Sequence, residues 1–241
     1  MKAIIPAAGH GTRFLPVTKV VPKEMLPIGS RPALELIVEE AKSAGADEIV
    51  MVISKGKELI REYFRDDPAV SFVYQHEQKG LGHAVLQAAP AFAGGTGNVL
   101  VLLGDALVAG GNASRELAAV SRSNGGAAVV GLERVPREKV SRYGIVAMEE
   151  SGRITGMVEK PAPENAPSDL AVAGRYLLDV AIFDFLADQR AGLGGEIQLT
   201  DAIARMIAEK PLYGCVYRGR RQDIGNPQGY FNALEAFGEN R

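Results

Sequence analysis

The segment Ile4-Ile5-Pro6-Ala7-Ala8-Gly9-His10-Gly11-Thr12-Arg13 runs from apolar residues into a turn of small ones. Small side chains let a phosphate come close to the backbone, and successive N–H groups in such a turn form a concavity for anions. Arg13, Lys19 and Lys23 follow at short intervals, and Pro16, Pro22 and Pro27 keep this stretch from becoming one long helix. A rigid loop carrying cations beside an amide-rich turn suits a polyphosphate. The turn is not a dinucleotide fingerprint, which needs a third small residue where Phe14 stands. Nor is it a Walker A loop, which ends in Gly-Lys-Ser/Thr. On Gly9-x-Gly11 alone, an ordinary tight strand-to-helix turn is an equal reading.

Carboxylates are the second feature. Asp105 follows the apolar run Asn98–Leu103, and ligands of open α/β sheets gather at the carboxyl ends of strands. Mg²⁺ takes a few carboxylates plus phosphate oxygens and water. Asp105 and Asp223 are compatible with that sparse need, but from these residues alone Asp105 reads first as a turn residue before Ala106, and Asp223 equally caps the turn at Gly225. His10, His76 and His83 lack a shared metal-ligand spacing. His83 reads as packing or hydrogen bonding, not as a general base. The single cysteine, Cys215, sits in an apolar run and reads as core; it excludes an internal disulfide and a cysteine-based zinc site.

These residues need a scaffold, and the hydrophobic pattern describes one. Lys2–Pro6, Glu48–Ile53, Val70–Tyr74, Asn98–Leu103 and Ala127–Leu132 read as buried strands whose continuous apolarity suits a parallel sheet covered on both faces. Between them, Pro32–Ala44 places Leu34, Ile37, Val38 and Ala41 at helical spacing. Glu58–Arg65, Gly82–Phe92 and Arg115–Ser123 read as further helices. After Val135, Tyr143–Met148, Arg153–Glu159, Ala171–Leu178 and Leu212–Tyr217 read as strands. Pro161–Pro167 reads as a loop, and Ile197–Lys210 and Tyr230–Phe237 as helices. The alternation predicts an α/β fold: a Rossmann-like, mostly parallel mixed sheet flanked by helices. One domain over 1–241 is expected, its nucleotide-binding half about 1–134 and its second-substrate half about 135–241.

Composition narrows the classes. Hydrophobic residues are 46% of the 241, so the chain can bury a core and does not read as disordered. With 27 basic and 29 acidic residues the net charge is -2, which lacks the basic excess of a general nucleic-acid binder. No apolar run approaches the ~20 residues of a membrane span, and no signal-peptide stretch opens the chain. The expectation is a cytoplasmic protein that binds neither nucleic acid nor membrane.

The start of the chain, Gly9-His10-Gly11-Thr12-Arg13 followed by Pro22-Lys23-Glu24-Met25-Leu26-Pro27, resembles the sugar-phosphate nucleotidyltransferases. The resemblance continues at Gln75, Lys79-Gly80-Leu81-Gly82-His83-Ala84-Val85, Tyr143-Gly144-Ile145-Val146 and Val158-Glu159-Lys160-Pro161. It reappears at Ala171-Val172-Ala173-Gly174-Arg175-Tyr176, at Gly195–Ile203 and at Asp223-Ile224-Gly225-Asn226, so it covers nearly the whole chain. Within that family the motifs look like those of the bacterial uridylyltransferases.

The resemblance implies a nucleotidyltransferase fold (glycosyltransferase-A-like) and Mg²⁺-dependent transfer of a uridylyl group from UTP to glucose 1-phosphate. It assigns catalytic roles to Arg13, Lys23 and Lys160, with Lys19 as a lesser helper. It places the nucleotide on Ala8, Gly9, Gly11, Thr12, Glu24, Gln75 and Gly80. The sugar falls to Gly144, Glu159 and Val172, with Glu196 and Asp201 as weaker candidates, and the metal to Asp105 and Asp223. Gln75 suits uracil because an amide both donates and accepts. A thymine methyl in an apolar pocket is worth only about 0.8 kcal/mol, so dTTP and other sugar 1-phosphates stay open. A catalytically silent nucleotide-sugar binder is disfavoured by the retained Arg13, Lys23, Asp105, Lys160 and Asp223. Compared with that branch, the stretch from Ile28 to Gln75 is short, the chain ends soon after Asn226, and Gly104-Asp105-Ala106 keeps one carboxylate where two often stand. Subunit number, including a homo-oligomer, stays open.

Overall fold

The computed structural model describes residues 1–238, so the last three residues of the expected second half lie outside it. The strands are β1 (Lys2–Pro6), β2 (Pro27–Ile28), β3 (Arg31–Pro32), β4 (Glu48–Ile53), β5 (Val70–Tyr74), β6 (Asn98–Leu102) and β7 (Ala106–Ala109). They continue as β8 (Ala128–Arg134), β9 (Gly144–Met148), β10 (Ile154–Glu159), β11 (Leu170–Asp179), β12 (Leu212–Val216) and β13 (Arg220–Asp223). The helices are α1 (Ala33–Ser43), α2 (Glu58–Tyr63), α3 (Leu81–Gln87), α4 (Ala113–Ser123), α5 (Ile182–Ala187), α6 (Leu199–Met206) and α7 (Pro227–Gly238).

Alternation along each buried strand divides the core. Ala3 and Ile5 of β1 pack on one face with Ile49, Met51, Leu100 and α1 residues Leu34, Ile37 and Val38. Ile4 points the other way, with Val50, Val52, Val99 and Val101, against α3, α5 and α6 through Val85, Leu186 and Ile203. Burying both faces explains the unbroken apolar runs.

The main sheet runs β10-β9-β11-β6-β1-β4-β5, with β8 and β12 attached through β11. Strands β6, β1, β4 and β5 are parallel, as predicted. Strand β8 departs from the prediction: it is antiparallel to β11 and parallel to β12. Continuous apolarity reports burial on both faces, not direction, and β8 has that burial in an antiparallel setting. The helix expected to reach Phe92 ends at Gln87, and a 3₁₀ turn at Ala89–Phe92 carries Pro90. The helix expected over Ile197–Lys210 narrows to α6.

Two features bring distant segments to one sheet edge. Strand β13 pairs antiparallel with β7, with Asp223 opposite Ala106, and Ile224 N–H donates to the Asp105 carbonyl at 2.9 Å. Strand β11 runs antiparallel to β6 with Arg175 opposite Leu102, so its first residues, Val172 among them, extend past the carboxyl end of β6. Arg175, fully buried, fastens this junction: it donates to Glu40 of α1 at 2.9 and 2.8 Å, to the Ala106 carbonyl at 2.6 Å and to the Gly174 carbonyl at 3.0 Å. Burial pushes the Glu40 carboxyl up, but Arg175 and hydrogen bonds from Ser114 outweigh it, and the group sits below its usual range.

Candidate active site

The amide turn leaves β1 at its carboxyl end. Ala7 N–H donates to the Val52 carbonyl at 2.8 Å, and Gly104 N–H donates to the Pro6 carbonyl at 3.1 Å, so the ends of β1, β4 and β6 meet. Gly11 takes a left-handed conformation at φ 66, and Thr18 Oγ1 donates to its carbonyl at 2.8 Å, closing the loop. Among the described residues, the N–H groups of Ala8, Gly9, His10 and Gly11 donate to nothing. Ala8, Gly9 and His10 line a cleft of about 400 Å³ together with Lys23, Gln75, Gly80 and Asp105. Thr12 and Arg13 follow on an exposed 3₁₀ turn.

Charged groups converge at the mouth. Lys23 Nζ lies 2.6 Å from Asp105 Oδ2. Burial pulls the Lys23 ammonium down, but Asp105, Glu24 and Asp223 outweigh it and hold the group above its ordinary value. Burial likewise raises Asp105, and Lys23 outweighs it, so the carboxyl is held down as an anion. A Cβ on Gly225 would come within 2.8 Å of Asp223 Oδ1, 3.3 Å of Asp105 Oδ2 and 3.8 Å of an Arg13 terminal nitrogen. Glycine therefore lets the two carboxylates and the guanidinium share one spot, and Gly225 N–H donates to Asp223 Oδ1 at 2.8 Å. This donor set fits Mg²⁺: hard carboxylate oxygens, few in number, beside a place for phosphate. Among the described residues, no cluster of three or more metal-ligating side chains exists, so the ion would take its remaining ligands from substrate and water.

Glu24 is placed differently from its expected nucleotide contact. Its carboxylate is 2% exposed, and both oxygens accept from Lys57 Nζ at 2.8 Å. Lys57 Nζ also donates to the Ala7 carbonyl at 2.6 Å. Glu24 thus lines the cleft floor with both oxygens already accepting from Lys57. Lys57 was not singled out in the sequence because it stands 33 residues from Glu24. Lys19 is exposed on its own 3₁₀ turn and does not line the cleft.

At the other end of the cleft, Gln75 Nε2 lies 3.2 Å from the Gly80 carbonyl and 3.0 Å from His83 Nδ1. Gly80 has φ 97, and a Cβ there would meet Glu196 Cβ at 2.8 Å and the Ile197 carbonyl oxygen at 2.9 Å. Only glycine permits this turn to close against residues 196–197. Burial, with Lys79 nearby, lowers the His83 pKa. Glu196 lines the cleft rather than opening a helix, since α6 begins at Leu199.

The other side of the edge is built on the β9–β10 ladder, where Gly144 pairs with Glu159. Thr200 Oγ1 donates to Glu159 Oε2 at 2.6 Å, and Lys160 Nζ lies 3.3 Å from Glu159 Oε1. A Cβ on Gly144 would come within 3.0 Å of Thr200 Oγ1 and 3.3 Å of Glu159 Oε2, so these groups crowd one place. Lys160 adopts φ 45, held by its N–H donating to the Tyr143 carbonyl at 2.9 Å and by buried Pro161. Such a backbone costs of order 1–3 kcal/mol in a residue other than glycine and marks functional segments. Val172 is buried on β11 beside this ladder, where Ala171 pairs with Ile145. Thr200 was missed because nothing local to it points to Glu159.

Comparison with known proteins bears on this geometry. The family model described as nucleotidyl transferase matches residues 2–240. A UTP–glucose-1-phosphate uridylyltransferase of Staphylococcus haemolyticus is 42% identical over 95% of this chain and 89% of its own. A solved UDP-glucose pyrophosphorylase complexed with UDP-glucose superposes with a TM-score of 0.91 at 36% identity, covering 100% of this chain and 99% of that one. A UTP-bound enzyme of the same kind from Acinetobacter baumannii gives a TM-score of 0.86 at 33% identity, covering 100% and 94%.

Proposed function

We propose, for a chain that belongs to the nucleotidyl transferase family, the transfer of a uridylyl group from UTP to glucose 1-phosphate. A phosphate oxygen of the sugar phosphate bonds to the α-phosphorus of UTP. The bond from that phosphorus to the β-phosphate bridging oxygen breaks, and pyrophosphate leaves with the electron pair. The product is UDP-glucose, and no side chain need act as nucleophile. Catalysis is then positioning and electrostatic stabilisation.

One observation carries the reading: Arg13, Lys23, Asp105 and Asp223 meet beside the cleft that Ala8, Gly9 and His10, with their unpaired amides, line. The amides of Ala8, Gly9 and Gly11, with Thr12, cradle the triphosphate. Arg13 receives the β- and γ-phosphates. Lys23 turns from Asp105 to the α-phosphate. Glu24 acts through Lys57 and the Ala7 carbonyl, holding the loop. Gln75 and Gly80 read the base. Gly144, Glu159 and Val172 take the sugar, and Lys160 leaves Glu159 for the sugar phosphate. Asp105 and Asp223 would hold Mg²⁺, which neutralises charge on the phosphates when bound. Location in the cytoplasm follows from the same reading, and among the described residues no helix is long and apolar enough to cross a membrane.

Pyrophosphate release, measured with four nucleoside triphosphates and several sugar 1-phosphates with and without Mg²⁺, tests the proposal. Release is expected with UTP, glucose 1-phosphate and Mg²⁺ together. Preference for dTTP would overturn the uridylyl assignment, and silence with every pair would overturn catalysis.

A further inference from the structure

His83 has no role in the reaction above, yet it touches the side chain that reads the base. Gln75 is 3% exposed and lines the cleft. Its Nε2 faces the Gly80 carbonyl at 3.2 Å and His83 Nδ1 at 3.0 Å. A carbonyl oxygen only accepts, so the amide nitrogen, and not the amide oxygen, must face Gly80. That nitrogen only donates, so His83 Nδ1 must be the acceptor, in a neutral ring protonated on Nε2; Gln87 Nε2 stands 3.3 Å from His83 Nε2, so this tautomer requires the half-buried Gln87 amide to turn its oxygen to that N–H. Both N–H groups of Gln75 are then committed. Among the described residues no donor reaches Gln75 Oε1, and that oxygen is not sealed in the core.

We propose that His83 is a positioning residue that sets base selectivity by holding the Gln75 amide with its oxygen presented to the cleft. The inference rests on Gln75 being the base contact. Uracil carries a hydrogen on N3, which this oxygen accepts. Cytosine carries a lone pair on N3, and two acceptors facing each other lose a hydrogen bond and repel. A site built around a polar contact rejects the analogue that leaves it unpaired. Thymine has the same N3–H as uracil, so His83 separates uracil from cytosine and is indifferent to the 5-methyl group. Supporting the neutral ring, burial and Lys79 disfavour its protonation. Turned with its oxygen toward the ring, Gln87 accepts from His83 Nε2 across the 3.3 Å separation and holds the ring from behind.

The test is kcat/KM for UTP, CTP and dTTP with glucose 1-phosphate in His83→Leu and His83→Asn. Leucine removes the acceptor, and asparagine offers an acceptor oxygen where Nδ1 stood. His83→Leu is expected to lower the UTP/CTP ratio about tenfold, the worth of one hydrogen bond, while the UTP/dTTP ratio stays at its wild-type value. His83→Asn is expected to restore the UTP/CTP ratio. His83→Ala replaces the leucine variant if that does not fold. An unchanged UTP/CTP ratio in the acceptor-free variant, or an equal loss with all three nucleotides, overturns the role of His83. A wild-type enzyme that uses CTP as well as UTP overturns Gln75 as the reader, and the inference with it.

Discussion

Lys23 and Lys57 both pair with a carboxylate, on either side of Glu24, and their ammonium groups shift in opposite directions. Lys57 lies under the cleft floor, where burial outweighs Glu24 and lowers its pKa; the same burial raises Glu24. Lys23 faces the cleft mouth, where Asp105, Glu24 and Asp223 together outweigh burial and raise it. The floor pair is a buried strut in which the two groups compensate each other and both carboxylate oxygens are engaged. The mouth has a surplus of negative charge around a lysine, and Asp105 is 34% exposed to whatever enters. The strut holds the loop still, and the mouth is arranged to exchange partners when an anion and a cation arrive.

Breaking the strut should have the largest effect. Lys57→Met leaves Glu24 buried without its cation, and stability in urea is expected to fall by about 3–5 kcal/mol. Adding Glu24→Leu should return much of that loss, because the uncompensated charge is gone; failure to recover would mean that Lys57 works chiefly through the Ala7 carbonyl. At the mouth the sign reverses. Asp105→Asn should leave the unfolding curve close to wild type while steady-state pyrophosphate release falls by about 10²–10³. Comparable turnover at saturating Mg²⁺ would remove Asp105 from the metal site. The smallest structural effect belongs to the Lys160–Glu159 pair, whose lysine is 42% exposed over a mostly buried glutamate, so solvent screening of the ammonium limits the stability change in Lys160→Ala to ~0–1 kcal/mol. There the expected loss is in the KM for glucose 1-phosphate, read by initial rates at fixed UTP.

Much of the scaffold was legible because burial on both faces leaves a linear trace. The runs at Lys2–Pro6, Glu48–Ile53 and Val70–Tyr74 became β1, β4 and β5 without adjustment. The β7–β13 ribbon was not read, since Ala106–Ala109 is short and Arg220–Asp223 is polar, so neither run carries a strand pattern. Asp223 looked like a turn residue for that reason, and only pairing with Ala106 sets it beside Asp105. The partner of Glu24 was not legible, because a carboxylate in a phosphate-binding motif does not announce a buried lysine 33 residues away.

From residue order alone came the identity of the chemical groups: the small-residue turn, the cations after it, the aspartates, the glutamine and the Glu-Lys-Pro segment. Their types and local spacing set what each can donate, accept or charge. Tertiary structure alone decided which of them are free. Lys57 closes Glu24, Thr200 engages Glu159, and His83 with Gly80 turns Gln75 so that only its oxygen is left for a ligand. Such partners come from separate strands and helices, and hydrogen-bond capacity is used up by whichever group lies within about 3 Å, a proximity that linear order does not encode.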